Sequence, residues 1–127
     1  MAAKSLKKVL IAEDEDAIRL ALGQALTNEG IQTFLAPDGQ TALDLALKEH
    51  PDLIILDMVM PKLHGMDVYN NIRNDIWGSQ VRIIFLTNFG QNPRTEEAAQ
   101  HEQTELIVKN DSKLSEIVRI VKNRLGI

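Results

Sequence analysis

The residues of this sequence that could do chemistry follow directly after short runs of large aliphatic residues. Two acids follow the run VLIA, an aspartate follows LIIL, a threonine follows VRIIFL and a lysine follows LIV; they are Glu13, Asp14, Asp57, Thr87 and Lys109. A carboxylate beside such an apolar run costs free energy unless a cation or a hydrogen-bond donor lies nearby. Carboxylates, a hydroxyl and an ammonium together could bind a hard metal ion and a phosphoryl group.

Five short aliphatic runs alternate with segments of helical periodicity and would position these side chains. The runs cover residues 9–12, 31–36, 53–56, 81–86 and 106–108. Strands that alternate with helices predict an α/β fold, in which helices cover both faces of an open parallel sheet. The carboxyl ends of such strands lie at one edge of the sheet, where ligands bind. The sequence therefore predicts that the residues after the first, third, fourth and fifth strands converge.

Each of these residues also has an ordinary structural explanation. The acidic run 13–16 suits the exposed first turn of a helix, and Asp57 suits a turn. Thr87 could simply end a strand, and Lys109 could be a surface charge. Because these explanations would have to coincide at four strands, a shared site is favoured. With oxygen ligands and no histidine among them, Mg²⁺ is the expected ion, and a metal-bridged Asp57 could form an aspartyl phosphate.

Composition limits the classes of function. The 127 residues suit one domain spanning 1–127, and the formal net charge of −4 argues against a nucleic-acid binder. The sequence has no cysteine, so disulfides and thiolate metal sites are excluded. It has neither a signal-peptide pattern nor an apolar stretch of membrane-spanning length. We therefore expect a cytoplasmic protein with no direct contact to nucleic acid or to a membrane.

Taken together, these segments closely resemble the receiver domain of two-component response regulators, of the single-domain, chemotaxis-regulator-like type. The matching segments are VLIAEDE, LIILDMVMPKLHG, FLTN and LIVK, in that order, and the resemblance covers essentially the whole chain. It implies a flavodoxin-like (βα)5 three-layer sandwich with a five-stranded parallel sheet in the order 2-1-3-4-5.

The resemblance also implies roles for individual residues. Asp57 would be the phosphoacceptor, taking a phosphoryl group from a histidine kinase, a phosphotransfer protein or a small donor such as acetyl phosphate. The implied Mg²⁺ ligands are Glu13 (through water), Asp14, Asp57 and the carbonyl of Val59. Thr87 and Lys109 would hold the phosphoryl oxygens. The chain would not be an enzyme beyond promoting its own phosphotransfer and dephosphorylation.

Two glycines are predicted to have backbone roles. Gly30 is well placed to end the first helix. Gly65, together with Pro61, is expected to shape the loop that leaves the Asp57 carboxylate open.

Signalling is expected to work through altered binding of a downstream protein, since only residues 126–127 follow the last helical pattern. The resemblance puts that partner on the face formed by the fourth helix, the fifth strand and the last helix. The segment from residue 93 to about 103, where the fourth helix is expected, has almost no large apolar residue, which suits a mobile element. The last helix is expected to follow Asp111 or Ser112 as its N-cap. Ile120 lies off the apolar face of that helix and is expected to be exposed, more as an ordinary surface isoleucine than as a partner contact.

Several positions depart from the family pattern. Leu106 stands where receivers usually have Tyr or Phe, so we expect a weak or altered rotamer switch. Asn110 replaces the proline after the lysine, which predicts a trans Lys109–Asn110 bond. Asn88 replaces a small residue, and it either hydrogen-bonds the phosphoryl group or caps the next helix.

Two apolar side chains, Val59 and Phe89, could shield the phosphoryl group from water, which predicts a long-lived aspartyl phosphate. Val59 also stands where phosphohydrolases of the haloacid dehalogenase type need a second aspartate, so that class is disfavoured. The remaining alternative is a pseudo-receiver, a phosphorylation-independent protein-binding module; Leu106 and Asn110 keep it open.

Overall fold

A computed structural model of the chain describes residues 6–87, 97–98, 100–109 and 113–127. Its strands are Lys8–Ala12 (β1), Gln32–Ala36 (β2), Leu53–Asp57 (β3), Arg82–Thr87 (β4) and Thr104–Val108 (β5). Its α-helices are Asp16–Asn28 (α1), Gly39–Glu49 (α2), Gly65–Asn74 (α3) and Leu114–Leu125 (α4), and a short 3-10 helix covers Trp77–Ser79. All strand pairs are parallel and the strand order is β2-β1-β3-β4-β5, which confirms the predicted flavodoxin-like sheet.

Alternating side chains of the central strands fill two separate cores, one on each face of the sheet. In β3, Ile54 and Leu56 pack with residues of α2 and α3, whereas Leu53 and Ile55 pack with residues of α1 and α4. All four side chains are completely buried. Burial of each such side chain contributes about 1.5–3 kcal/mol, so β3 is anchored on both faces. A strand held in this way gives Asp57, its last residue, a fixed position.

The ends of two helices test predictions made from single residues. Gly30, with φ of +80°, follows the last turn of α1 and donates its N–H to the Thr27 carbonyl, as predicted. The last helix, α4, begins at Leu114 with Lys113 as its N-cap, so the predicted N-cap was wrong. Ile120 was also predicted wrongly: it is half-buried against the core that α1 and α4 share, because that core reaches further round the helix than the strict apolar stripe.

β5 is an edge strand, and two arginines attach it to the rest of the fold. Arg73 of α3 donates to the Val81 carbonyl at 2.6 Å and to the Thr104 hydroxyl at 2.8 Å. Arg124 of α4 forms a bidentate ion pair with the Glu105 carboxylate. These contacts fix the strand that leads into Lys109.

Some predictions concern residues outside the described ranges. They include most of the expected fourth helix, for which residues 97–98 alone are described as helical, and also Asn88, Phe89, Asn110, Asp111 and Ser112. Within the described ranges, no helix is both long enough and apolar enough to cross a lipid bilayer.

Candidate functional site

The register of the parallel sheet brings the ends of β1, β3 and β4 to one edge. Ala12 of β1 pairs with Leu56 of β3, so the next residue of each strand, Glu13 and Asp57, lie side by side. Asp57 pairs in turn with Leu86 of β4, one residue before Thr87.

β5 completes the same edge from the other side of β4. Thr87 pairs with Val108, and Lys109 follows directly. The backbone ladder alone therefore gathers two acids, a hydroxyl and an ammonium from four strands.

Lys109 is the cation at the centre of this cluster. Its ammonium lies 2.6 Å from Glu13 Oε1, 3.3 Å from Asp57 Oδ1 and 3.9 Å from Glu15 Oε1. The Lys109 side chain is 8% exposed and Glu13 is fully buried, so these are ion pairs shielded from bulk water. Such pairs are retained because each partner removes the cost of burying the other charge.

Among the described residues, the single positive charge of Lys109 does not balance the carboxylates around it. Burial, and then the neighbouring Glu13, raise the pKa of Asp57 to about 8, although Lys109 opposes the rise. Burial lowers the pKa of Lys109, but its contacts with Glu13 and Asp57 outweigh burial, so the net pKa of Lys109 is raised. In the metal-free chain the cluster therefore retains a proton at neutral pH.

A divalent cation would relieve this excess of negative charge. Glu13, Asp14 and Asp57 each offer a carboxylate oxygen, and the three oxygens lie within 4.8 Å of one another. Asp14 is exposed and so leaves the cluster open to solvent. An all-oxygen donor set with an open side fits Mg²⁺, which keeps several waters when it binds to protein.

A pocket of about 240 Å³ opens beside the three carboxylates. It is lined by Asp14, Glu15, Asp57, Met58, Val59, Thr87 and Lys109. The backbone N–H of Val59 approaches Asp57 Oδ1 at 3.5 Å, and the Val59 side chain is 69% exposed at the mouth of the pocket. The pocket is thus lined by carboxylates, a hydroxyl and an ammonium.

Gly65 allows the loop after Asp57 to turn back tightly on the strand. A Cβ at this position would lie 2.3 Å from the Asp57 carbonyl oxygen and 2.9 Å from Met58 Cα. The Gly65 N–H also donates to the Met58 carbonyl at 3.0 Å. Any side chain at residue 65 would displace the backbone that carries the Asp57 carboxylate.

Comparison with known proteins identifies the family. The sequence profile described as "Response regulator receiver domain" matches residues 9–122, which is most of the chain. The chain belongs to the response regulator receiver family. It is a receiver of two-component systems, with the flavodoxin-like fold typical of that family.

Relatives of known sequence include a phosphotransferase and a probable transcriptional regulator. This receiver is 34% identical over 94 residues to sporulation initiation phosphotransferase F of Bacillus subtilis, with 74% of each chain covered. It is 45% identical over 84 residues to a probable transcriptional regulator, ycf27, of Galdieria sulphuraria. That match covers 66% of this chain but 32% of the relative, so the receiver spans about a third of that protein's length.

Solved structures of receivers superpose closely on this one. The chemotaxis response regulator CheY4 of Vibrio cholerae has a TM-score of 0.83 and 25% identity, with 94% of this chain and 99% of that chain covered. The receiver domain of the sensor histidine kinase PA1611 of Pseudomonas aeruginosa has a TM-score of 0.82 and 26% identity, with 97% and 100% covered. That protein has a magnesium ion coordinated in its active site cleft.

Most of the residues predicted for the receiver site lie together, and one does not. Glu13, Asp14, Asp57 and Lys109 form the cluster, while Val59 and Thr87 line the pocket beside it. Leu106 is half-buried in the core on the α2 and α3 face of the sheet and does not line the pocket. Asn88 lies outside the described residues.

Two charged residues at the site were not singled out from the sequence. Glu15 lies 3.9 Å from the Lys109 ammonium, and its place in the acidic run 13–16 was a signal that could have found it. Arg19 of α1 donates to the Glu13 carbonyl at 2.9 Å and is paired with Asp16. No sequence pattern marks Arg19, because its partner is a backbone carbonyl six residues earlier.

Proposed function

We propose that this receiver accepts a phosphoryl group on Asp57 in a Mg²⁺-dependent reaction and signals through altered binding of a protein partner. The donor is a histidine kinase or a phosphotransfer protein, and a small donor such as acetyl phosphate can replace it. The chain promotes its own phosphorylation and dephosphorylation and acts on no other substrate. The observation that carries this proposal is the convergence of Asp57, two further carboxylates and Lys109 at one open edge.

The phosphoryl step needs a nucleophile with an unprotonated oxygen. A carboxylate oxygen of Asp57 attacks phosphorus, and the bond from phosphorus to the donor nitrogen or oxygen breaks, so the leaving group takes that electron pair. Glu13, Asp14, Asp57 and the Val59 carbonyl would hold the metal ion. When bound, Mg²⁺ supplies positive charge that favours the ionised carboxylate and neutralises phosphoryl oxygens.

Two other side chains suit the phosphoryl oxygens. Lys109 already lies 3.3 Å from Asp57 Oδ1, and Thr87 lines the same pocket. An ammonium and a hydroxyl at these positions would stabilise the charge that grows on the transferring group. Asn88 would either join them or cap the helix that follows.

The proposed output surface is the face that includes β5 and α4. The helix that the family has between β4 and β5, which is a different helix from α4 of this chain, would complete that face. The alternative of a phosphorylation-independent binding module is less favoured, because Asp14, Asp57, Thr87 and Lys109 lie together at the edge of the sheet; Leu106 is the described departure that would suit it.

Intact mass after incubation with acetyl phosphate tests the proposal directly. We expect a phosphoryl adduct on the wild-type chain with Mg²⁺ and none after chelation of the metal. Asp57→Asn should abolish the adduct, because the amide is a poor nucleophile. Asp44→Asn, an aspartate exposed on α2, is the matched control and should be modified as the wild type is.

Two results would contradict the proposal. An adduct that persists in Asp57→Asn would put the phosphoryl group on another residue. No adduct in wild type, either with acetyl phosphate or with a panel of purified histidine kinases, would favour the pseudo-receiver.

A further inference from the structure

Glu15 is an acid at the pocket for which the proposed chemistry gives no role. It lines the pocket beside Asp57, and its Oε1 lies 3.9 Å from the Lys109 ammonium. Its side chain is 54% exposed, so the carboxylate stands at the mouth of the pocket. An incoming phosphodonor must pass this charge.

The local structure directs the Glu15 carboxylate toward the pocket. Glu15 is the N-cap residue of α1, yet its side chain makes no capping hydrogen bond to the helix. Its own N–H donates to Glu13 Oε2 at 3.2 Å, which fixes the backbone of the turn. The carboxylate is therefore free of the helix end and available to Lys109.

Glu15 also leaves the site with a net negative charge when a metal ion is bound. A divalent cation together with Lys109 would balance three carboxylates, those of Glu13, Asp14 and Asp57. Arg19 does not change this balance, because it is paired with Asp16. Among the described residues of the pocket, Glu15 then remains as the uncompensated negative charge at the entrance.

We infer that Glu15 is a specificity-determining residue that disfavours small anionic phosphodonors. This inference rests on the proposed phosphorylation of Asp57. A small donor meets the repulsion of Glu15 and has no contacts outside the pocket to offset it. A protein donor meets the same repulsion but binds a larger surface, and that binding energy offsets the penalty.

The size of the penalty follows from Coulomb's law. For a dianion roughly 7 Å from the Glu15 carboxylate in water, at about 0.1 M salt, the repulsion slows the encounter about threefold. Because the energy is proportional to the donor's charge, a monoanion should be slowed less than about twofold under the same conditions.

The test compares two small donors of different charge on wild type and Glu15→Gln. The donors are acetyl phosphate, mostly a dianion at neutral pH, and phosphoramidate, which carries one net negative charge. Both transfer a phosphoryl group to an Asp57 oxygen: the P–O bond of acetyl phosphate breaks to release acetate, and the P–N bond of phosphoramidate breaks to release ammonia. The glutamine variant should react about threefold faster with acetyl phosphate and less than about twofold faster with phosphoramidate. The acceleration should shrink as salt is added.

Two controls separate charge at the pocket from other effects. Glu102→Gln removes the same charge from an exposed residue that precedes β5, at the opposite edge of the sheet, and should leave both rates unchanged. The Mg²⁺ affinity of each variant is measured first by amide chemical-shift titration, so that all rates are compared with the metal site saturated. Equal thermal midpoints of unfolding would show that the variants fold alike.

The outcomes distinguish this inference from the function on which it rests. If Asp57 is phosphorylated but Glu15→Gln reacts no faster than wild type, or gains equally with both donors, the specificity role is wrong and the proposed function stands. If neither donor nor a purified kinase phosphorylates the wild-type chain, the proposed function is wrong and the inference falls with it.

Discussion

At the scale of single residues, Asp57 is an acid that the folded, metal-free chain holds in its protonated form. Burial and the neighbouring Glu13 raise its pKa from the usual 3.8 to about 8. A raised pKa means that the stability contributed by the protonated form is fully present below pH 3.8 and is lost as the pH rises through about 8. Because a bound cation favours the ionised carboxylate, we expect the pKa of Asp57 to fall when a cation binds, which would give the nucleophile that the proposed phosphorylation needs.

This linkage predicts how the stability of wild type and of Asp57→Asn diverges with pH. The free energy of unfolding of the metal-free wild type should fall relative to the variant as the pH rises from about 5 to about 8, because the asparagine never ionises. Urea unfolding of both proteins across that range, in the presence of a chelator, measures the difference. Excess Mg²⁺ should close the gap at the high end. A gap that is constant with pH would show that the pKa of Asp57 is not raised.

Lys109 and Glu13 form a buried pair in which each charge depends on the other. Lys109→Met leaves the fully buried Glu13 carboxylate without its nearest cation, which should destabilise the metal-free chain by about 3 kcal/mol. The double variant Lys109→Met/Glu13→Gln should recover much of that loss, because it removes both charges. Chemical denaturation of the two single variants and the double variant measures the coupling free energy. Simple addition of the single losses would mean that the two charges do not stabilise each other.

The side chain of Val59, which is 69% exposed at the pocket mouth, has no polar atom with which to hold an attacking water. Val59→Asn adds an amide that can orient a water, and one such hydrogen bond should speed loss of the phosphoryl group by about five- to tenfold. The decay of phosphorylated protein after removal of the donor, followed by intact mass, measures this rate. Slow decay in wild type could come from the lack of a polar group that orients water or from steric shielding by the valine side chain. Val59→Ala distinguishes these two causes, because faster decay in this variant too would indicate steric shielding. A wild type that decays faster than Val59→Asn would contradict the predicted long-lived phosphate.

At the scale of secondary-structure elements, the loop between β3 and α3 depends on Gly65. Gly65→Ala would bring a Cβ to 2.3 Å from the Asp57 carbonyl oxygen, so the backbone must shift. We expect a loss of about 2 kcal/mol in stability together with weaker Mg²⁺ binding, because the shift moves Asp57. Gly30→Ala is the control: its strained φ should cost about 1 kcal/mol, but with nothing within 4 Å of the new Cβ the metal affinity should not change. Equal Mg²⁺ affinity in both variants would show that Gly65 does not position the site.

The strands and helices that position the site were predictable, because each can be recognised from the pattern of apolar residues within its own segment of the sequence. The strands read as aliphatic runs, and strands alternating with helices led to the sheet and its edge. The bounds were less well predicted: Asp57 and Thr87 are the last paired residues of their strands rather than the first residues beyond them. The site acids were expected together because the carboxyl ends of parallel strands always meet at one edge.

What the sequence did not indicate depends on contacts between segments. Ile120 looked exposed on the helical pattern of α4 alone, yet the core shared with α1 covers it. Glu15 could have been an ordinary exposed acid, and the contact with Lys109 required the geometry of β5. Such features depend on where another element lies, and local periodicity carries no information about that.

At the scale of the whole molecule, the proposed function requires that a change at Asp57 reach the proposed partner face, which includes β5 and α4. In this chain the position usually occupied by an aromatic ring is Leu106, half-buried in the core that includes Phe85. A leucine has no hydroxyl and fills less space than a tyrosine, so its change of rotamer moves less structure. Glu105, the adjacent residue, holds β5 to α4 through Arg124, which further stiffens this side of the molecule.

We therefore expect a phosphoryl mimic such as beryllofluoride to change amide chemical shifts strongly around Asp57 and weakly across β5 and α4. Leu106→Tyr should spread the changes into those two elements, because a larger side chain couples β5 to the space next to Thr87. Leu106→Met, similar in volume and also without a hydroxyl, is the control and should behave as wild type does. Large changes across β5 and α4 in the wild-type chain would show that leucine suffices for the switch. Weak changes would indicate that a partner recognises the edge of the pocket directly, where the phosphoryl group adds charge. The partner would then not depend on a rearrangement of β5 and α4.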